Sequence, residues 1–143
     1  MNVTKILAHL VWPMCALSAA PTTMAAEGDP LAQYKWKARV LVVLTDDPSG
    51  PALIEQKRQL ESLRGGAQER DLVLVQARAG SPEAQALRAQ LGLGPGPFWA
   101  VLVGKDGETK LCTTEPISGR DLAATIDAMP MRQDEMRQRP RSP

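Results

Sequence analysis

The chain has 143 residues, with 17 basic and 16 acidic side chains, one histidine and two cysteines. A chain of this length is expected to form one domain with a single modest core. The near-zero net charge gives no field that would attract nucleic acid or an acidic membrane, so nucleic acid is not expected as a partner.

Residues 1–26 have the organisation of a secretory signal peptide. Lys5 supplies a basic start, residues 6–17 form a mostly apolar run, and small residues follow up to Ala25 and Ala26, where cleavage is expected. The apolar run is shorter than the roughly 20 residues that span a bilayer, so we expect no stable membrane anchor after cleavage. A retained anchor and a lipidated cysteine in this segment are the two alternatives.

Cleavage would reduce the chemistry available to the chain. It removes Lys5, His9 and Cys15, which leaves equal numbers of basic and acidic residues and a single cysteine, Cys112. One cysteine cannot form a C-x-x-C redox pair, and without histidine a serine nucleophile lacks its usual base. Arg outnumbers Lys eleven to six, alongside many Ala, Gly and Pro. This bias is typical of a GC-rich bacterial genome, so the predicted location is the periplasm or outside the cell.

The first half of the domain follows a polar lead-in, residues 27–37. The apolar run at residues 40–44 predicts a strand buried on both faces. Residues 51–64 are predicted to form a helix that Ser49 caps. The apolar stripe of that helix is expected to hold Leu53, Ile54, Leu60 and Leu63. A second buried strand is predicted at residues 72–75.

The second half opens with Ser81 as the cap of a helix that ends near Gly92. The apolar run at residues 98–103 predicts a third strand, and Asp106-Gly107 predicts a hairpin to an antiparallel strand at residues 109–114. Ser118 is the expected cap of the next helix, which breaks before Pro130 because a residue preceding proline disfavours the α conformation. A short further helix is predicted over residues 131–138, and residues 139–143 are predicted to be a disordered tail.

The resulting order β-α-β-α-β-β-α predicts an α/β three-layer sandwich of the thioredoxin-like kind over residues 38–138. A thioredoxin would carry its cysteines in the turn after the first strand. Here that turn holds Asp46 and Asp47 and no cysteine. The sequence therefore predicts the fold without the C-x-x-C motif and without its redox chemistry.

Four segments together resemble the DUF4174 family, and the resemblance covers roughly residues 29–137. They are residues 39–44, residues 69–73, residues 102–107 with 110–111, and residues 126–133 with 135–136. The resemblance implies a thioredoxin-like fold, an exported bacterial protein, and a relation to domains in animal extracellular-matrix proteins that carry sushi repeats. The molecular function of the family is uncharacterised, so the resemblance implies no catalytic residues and no cofactor.

Cys112 is the one candidate for a catalytic nucleophile. A reactive thiolate requires a nearby cation or a helix N-terminus. Cys112 is predicted to lie in mid-strand with Lys110 and Thr114 on the same face, and Lys110 could lower its pKa. A packed or half-buried, unreactive cysteine is the expectation, and a one-cysteine thiol peroxidase or reductant is the alternative.

Carboxylates and thioethers give two further candidate sites. Asp46 and Asp47 could bind a cation or act as acid and base, although turn formation before a helix is the simpler interpretation. Met129, Met131 and Met136 could bind Cu(I) as soft ligands, although core packing is the more common role of Met.

The leading functional hypothesis is therefore an exported, non-catalytic domain that binds a protein or matrix partner. Arg132 and Gln133, presented after the break at Pro130, are the predicted exposed contact, with Asp46 and Asp47 as further contact candidates. No cofactor or metal is expected. The thiol enzyme is the second hypothesis, and metal binding in the periplasm is the third.

Overall fold

The computed structural model describes residues 28–139. The predicted signal peptide and all of the predicted tail except Arg139 lie outside this range. The domain contains four strands, five α-helices and one turn of 3-10 helix at Ala32–Tyr34. In chain order the elements are β1 (Arg39–Thr45), α1 (Pro51–Glu61), α2 (Gly66–Glu69), β2 (Leu72–Arg78), α3 (Pro82–Leu91), β3 (Phe98–Val103), β4 (Thr109–Thr113), α4 (Gly119–Asp127) and α5 (Pro130–Gln138).

The four strands form one mixed sheet in the order β2-β1-β3-β4. β1 runs parallel to β2, with Val40 opposite Val73, and antiparallel to β3, with Leu41 opposite Leu102. β4 closes the sheet antiparallel to β3. We call the end where β1 and β2 begin the basal end, and the end with the turn after β1 the loop end. This mixed α/β arrangement is consistent with a thioredoxin-like fold and confirms the predicted class.

Both faces of β1 are covered, as its uninterrupted apolar run predicted. Leu41 and Val43 pack in one core cluster with Leu53 of α1 and residues of α4. The alternate residues, including Val42, pack in a second cluster with Ala84 and Leu87 of α3. The sheet is therefore the middle layer of three, because successive strand side chains point to opposite faces.

The turn and capping predictions are confirmed where local chemistry determines them. The backbone N–H of Ala84 donates to Ser81 Oγ at 3.1 Å, and that of Asp121 donates to Ser118 Oγ at 3.0 Å. The hairpin forms at Asp106-Gly107, and the chain breaks between α4 and α5 next to Pro130. β2 differs from prediction, since it extends to Arg78 and lies at the sheet edge with only partial burial.

The first helix departs most from the sequence prediction. Its N-cap is Gly50 rather than Ser49, and it ends at Glu61. Ile54 is 60 % exposed, while Gln56 takes the buried position. The Gln56 side chain donates to the Ile117 carbonyl at 3.0 Å and accepts from the Ile117 N–H at 2.8 Å, so its polar groups are satisfied inside the core. The short helix α2 was not predicted.

Within residues 28–139, no helix has the length and apolar character needed to cross a bilayer.

Candidate functional site

The turn at the loop end, where a thioredoxin would carry its cysteines, holds two exposed acidic residues, Asp46 and Asp47. Asp47 Oδ1 accepts the Ser49 N–H at 2.9 Å, and the Thr45 hydroxyl bonds the Asp47 carbonyl at 3.0 Å. The Asp46 N–H donates to the Pro97 carbonyl at 3.0 Å. The peptide bond before Pro97 is trans, like all those described. The Asp47 carboxylate therefore serves the turn, whereas Asp46 takes part through its backbone N–H.

Cys112 lies on β4, the edge strand, and its side chain is exposed. The expectation of a packed or half-buried cysteine was wrong, because the helices that cover the central strands leave much of this edge in solvent. Cys112 pairs with Val101 of β3, which places it halfway along the sheet rather than at the loop end. Lys110 is held by Asp106 at 2.8 Å and by Glu108 at 3.2 Å, and the Asp106 hydrogen bond raises the pKa of Lys110.

The three methionines of the copper hypothesis have different environments. Met129 is buried, at 8 % exposure, in the core below α4. Met131 and Met136 are exposed on α5. Within residues 28–139 no group of three or more His, Cys, Asp and Glu side chains is arranged to hold a metal ion.

The most developed polar assembly of the described domain lies at the basal end, which sequence reasoning did not identify. We call it the basal ion cluster, and its members are Arg39, Glu69, Arg70, Asp71, Lys105, Asp127, Arg132 and Glu135. They come from the start of β1, the end of α2 and its link to β2, the turn between β3 and β4, the end of α4, and α5. The cluster thereby connects the last two helices, α4 and α5, to the sheet.

Glu135 is the carboxylate that anchors α5 to the sheet. Its two oxygens accept from Arg39 Nη2 at 3.2 Å and Arg39 Nη1 at 3.3 Å, and Oε1 also accepts from Lys105 Nζ at 2.6 Å. Burial alone would raise the pKa of Glu135, but the hydrogen bonds from Lys105 and Arg39 outweigh it and lower the pKa below its ordinary value. Lys105 also binds Asp71 at 2.8 Å.

Asp127 is the carboxylate that anchors the end of α4. Arg70 binds it at two points, Nε–Oδ1 at 2.9 Å and Nη2–Oδ2 at 2.7 Å, and Arg132 Nε adds a third contact at 3.2 Å. Burial opposes ionisation here as well, yet these guanidinium groups lower the pKa of Asp127. Two-point contacts between arginine and a carboxylate fix orientation as well as charge.

Arg132 corrects the predicted contact surface. Its side chain is 1 % exposed, so the expectation that it is presented to solvent was wrong. It binds Asp127, and its Nη2 donates to Glu69 Oε1 at 2.8 Å. Gln133, its neighbour, is exposed as predicted. Asp46 and Asp47 lie at the opposite end of the sheet, so the four predicted contact residues do not form one surface.

A small pocket of about 170 Å³ opens beside the cluster, between the end of β3 and the start of α5. Buried Arg39, Gly104 and Met129 form its inner wall, and exposed Lys110 and Met131 lie at its mouth. We call it the basal pocket. Among the described residues, the buried Nε of Arg39 has no hydrogen-bond acceptor.

All eight members of the basal ion cluster lie in the four segments that carry the family resemblance. The pocket residues Gly104, Met129 and Met131 belong to the same segments. Those segments are separate in the chain and meet only in the fold. The sequence signal for the cluster was therefore present, as charged residues inside these segments, but no local pattern pairs them.

The domain is thus a small mixed α/β domain with a paired ion cluster at one end of its sheet. The chain belongs to the family described as a domain of unknown function, DUF4174, whose model matches residues 30–135. A comparison with curated proteins found no match. Among solved structures, one described as a malarial protein is similar at a TM-score of 0.48 and 13 % identity, covering 63 % of this chain and 94 % of its own.

Proposed function

We propose that this chain is an exported, non-catalytic domain that binds a protein partner through its basal end. The observation that carries the proposal is the basal ion cluster, which joins β1, α4 and α5 and has exposed side chains beside it. The charges there are paired with one another. This pairing is expected of a cluster that stabilises the conformation of a surface, and not of one that takes part in a reaction. Export is proposed from the signal-like residues 1–26.

Exposed side chains near the cluster offer the contact surface. Trp36 is 63 % exposed, and its backbone N–H donates to the carbonyl of Lys105, a cluster residue, at 2.6 Å. Met131 and Gln133 are exposed on the first turn of α5. Tryptophan and methionine are enriched at protein interfaces, so these side chains are suited to contact a partner.

The first experiment locates the contact. A photo-crosslinking amino acid is placed at Gln133 in the full chain, expressed in an exporting bacterium, and the matched control is placed at exposed Gln85 on α3. We expect a discrete crosslinked product from position 133 and none from position 85. Equal products from both positions, or none from either, would contradict the proposal.

Export has its own test in the same cells. The N-terminal residue of the accumulated protein is determined from the periplasmic fraction. A product that begins at Ala26 or Glu27 supports the proposed cleavage. An intact Met1 in the cytoplasmic fraction would contradict export and leave the binding proposal to the crosslinking result.

The exposure of Cys112 favours a second candidate, a one-cysteine thiol peroxidase or reductant. Access to the thiol meets one requirement of such an enzyme. The second requirement, a cation free to stabilise the thiolate, is not met, because Lys110 is already bound by Asp106 and Glu108. The test is peroxide consumption by the wild-type chain and by Cys112→Ser. Fast consumption that disappears in the variant would establish the enzyme and overturn the binding proposal.

A further inference from the structure

The two edge strands of the sheet differ in how they are protected from pairing with another chain. Edge strands are usually protected by charges, prolines or bulges. β4 carries Lys110 and has an irregularity between Leu102 and Val103 in its pairing with β3. β2 has no charge or proline over residues 72–77, and its register with β1 is unbroken. Because residues 73–75 are only half-buried, β2 presents an apolar edge to which a further strand can pair.

The backbone of β2 shows which of its hydrogen-bonding groups point outward. The Arg39 N–H donates to the Asp71 carbonyl at 2.8 Å at the start of the ladder, and the Ala79 N–H donates to the Thr45 carbonyl at 2.8 Å at its end. Alternate residues of a parallel strand bond the same neighbour, so the odd-numbered residues of β2 bond β1. The outward groups belong to the even-numbered residues, Leu72, Leu74, Gln76 and Arg78. Among the described residues, no backbone group bonds the outward groups of the first three.

A groove leaves room for a strand beside the first half of β2. Its volume is about 480 Å³, and its lining includes Leu72 and Val73 of β2 and Ala67 and Gln68 of α2. A strand that pairs with β2 would therefore run along this groove, with α2 beside it.

A second copy of β2 complements this edge when a two-fold axis passes beside Val75. Antiparallel pairing about Val75 aligns all seven residues of the strand and sets Leu74 opposite Gln76 of the second copy, so that outward groups meet outward groups. Val75 then lies opposite Val75 of the second copy, and Val73 lies opposite Ala77. These apolar cross-strand pairs stabilise the pairing on the face that packs against α3.

The charges at the two ends of β2 favour the same register. Pairing centred on Leu74 would set Arg78 opposite Arg70 of the second copy, and like charges that lie opposite each other are destabilising. Pairing centred on Val75 brings exposed Arg78 to the start of the other β2 instead. There the carboxylate side chains of Glu69 and Asp71 are 51 % and 47 % exposed. The two-fold axis therefore places a cation beside acidic residues at both ends of the interface.

We propose that β2 is the interface of a symmetric homodimer, in which two copies of the chain pair antiparallel about Val75. The two four-stranded sheets then form one continuous sheet. The second copy supplies donors and acceptors for the outward groups of β2 and covers its half-buried apolar side chains. This inference goes beyond the proposed function and does not depend on it.

The first test is the mass in solution of the chain purified from an exporting bacterium. Sedimentation equilibrium should show twice the mass of one chain at high micromolar concentration. Gln76→Pro removes an outward N–H, which costs the fold no ladder bond, and by symmetry it removes two bonds of the dimer. It should weaken association by about tenfold or more, while the matched control Gln76→Ala keeps the N–H and should remain a dimer. A monomeric wild-type chain, or equal association of both variants, would overturn the inference.

The second test is the register, read by disulfide formation with oxidised glutathione in chains that carry Cys112→Ser. Val75→Cys places two thiols opposite each other with their Cα atoms about 4.5 Å apart, which is within the range that a disulfide spans. Val73→Cys is the matched control, because its two copies would lie about 14 Å apart along the strands. We expect a covalent dimer from Val75→Cys alone. Equal products from both variants, or a wild-type chain that crosslinks through Cys112 faster than Val75→Cys does, would contradict pairing through β2.

Discussion

Arg39 and Glu135 lie 96 positions apart in the chain and form a two-point ion pair, with Nη1–Oε2 at 3.3 Å and Nη2–Oε1 at 3.2 Å. Arg39 is the first residue of β1 and is fully buried, whereas Glu135 lies in the last helix. The pair therefore joins the start of the sheet to α5 across the basal end. Lys105 and Arg132 also contact Glu135 and connect this pair to the rest of the basal ion cluster.

Removal of Glu135 should destabilise the domain strongly. Glu135→Ala leaves the buried Arg39 charge without its carboxylate, and the loss of one partner of a buried pair costs about 3 kcal/mol or more. The matched control is Asp134→Ala on the same helix, which breaks only the exposed pair with Arg137 and should cost less than about 1 kcal/mol. Denaturant unfolding measures both free energies, and equal losses would contradict a structural role for the cluster.

The stability of the domain should fall in mild acid because of Asp127 and Glu135. The pKa of each carboxyl is lower in the folded chain than its ordinary value of about 4. Each therefore contributes stability that is complete above the ordinary pKa and is lost as the pH falls through the lowered folded value. We expect the free energy of unfolding to decrease as the pH falls from about 5. Glu135→Gln should reduce this pH dependence, and an unchanged slope would show that the pair does not provide it.

Cys112 should react without unfolding yet contribute little to the fold. Its exposure predicts that a thiol reagent modifies it in the folded chain at a rate unaffected by low denaturant. Cys112→Ser should change the free energy of unfolding by less than about 0.5 kcal/mol, as is usual for exposed positions. Modification that occurs only after unfolding would place the thiol in the interior and contradict the edge position of β4.

A side chain at Gly119 should destabilise the domain, because α4 begins against α1. A Cβ at this position would lie 2.7 Å from the Gln59 carbonyl oxygen and 2.5 Å from Ser62 Oγ. Gly119→Ala should therefore cost about 1–3 kcal/mol through overpacking. Gly94→Ala is the control, since nothing lies within 4 Å of its Cβ. Denaturation midpoints compare the two, and matching midpoints would mean that the helices separate easily there.

The elements that the sequence predicted are those determined by neighbouring residues. The run at residues 98–103 matches β3, and the hydroxyls of Ser81 and Ser118 cap the helices as predicted. These features depend on periodicity and on bonds that span three residues. The hairpin at Asp106-Gly107 is of the same kind.

The features that the sequence did not predict depend on contacts between distant segments of the chain. Gln56 looks like a surface residue in sequence but binds Ile117, 61 positions away, inside the core. Arg132 follows a break in a polar, charged stretch, which predicted a solvent-facing contact. One of its carboxylate partners, Glu69, is 63 positions away. The neighbouring residues in the chain give no signal for such pairs.

The comparison of the two ends of the sheet tests the central claim most directly. A photo-crosslinking amino acid is placed either at Gln133, at the basal end, or at Asp47, at the loop end, in full chains that carry Cys112→Ser. If the domain is a binding module that acts through its basal end, position 133 gives a discrete product without the thiol and position 47 gives none. A product from position 47 alone, or no product from position 133 in these chains without the thiol, would contradict this account.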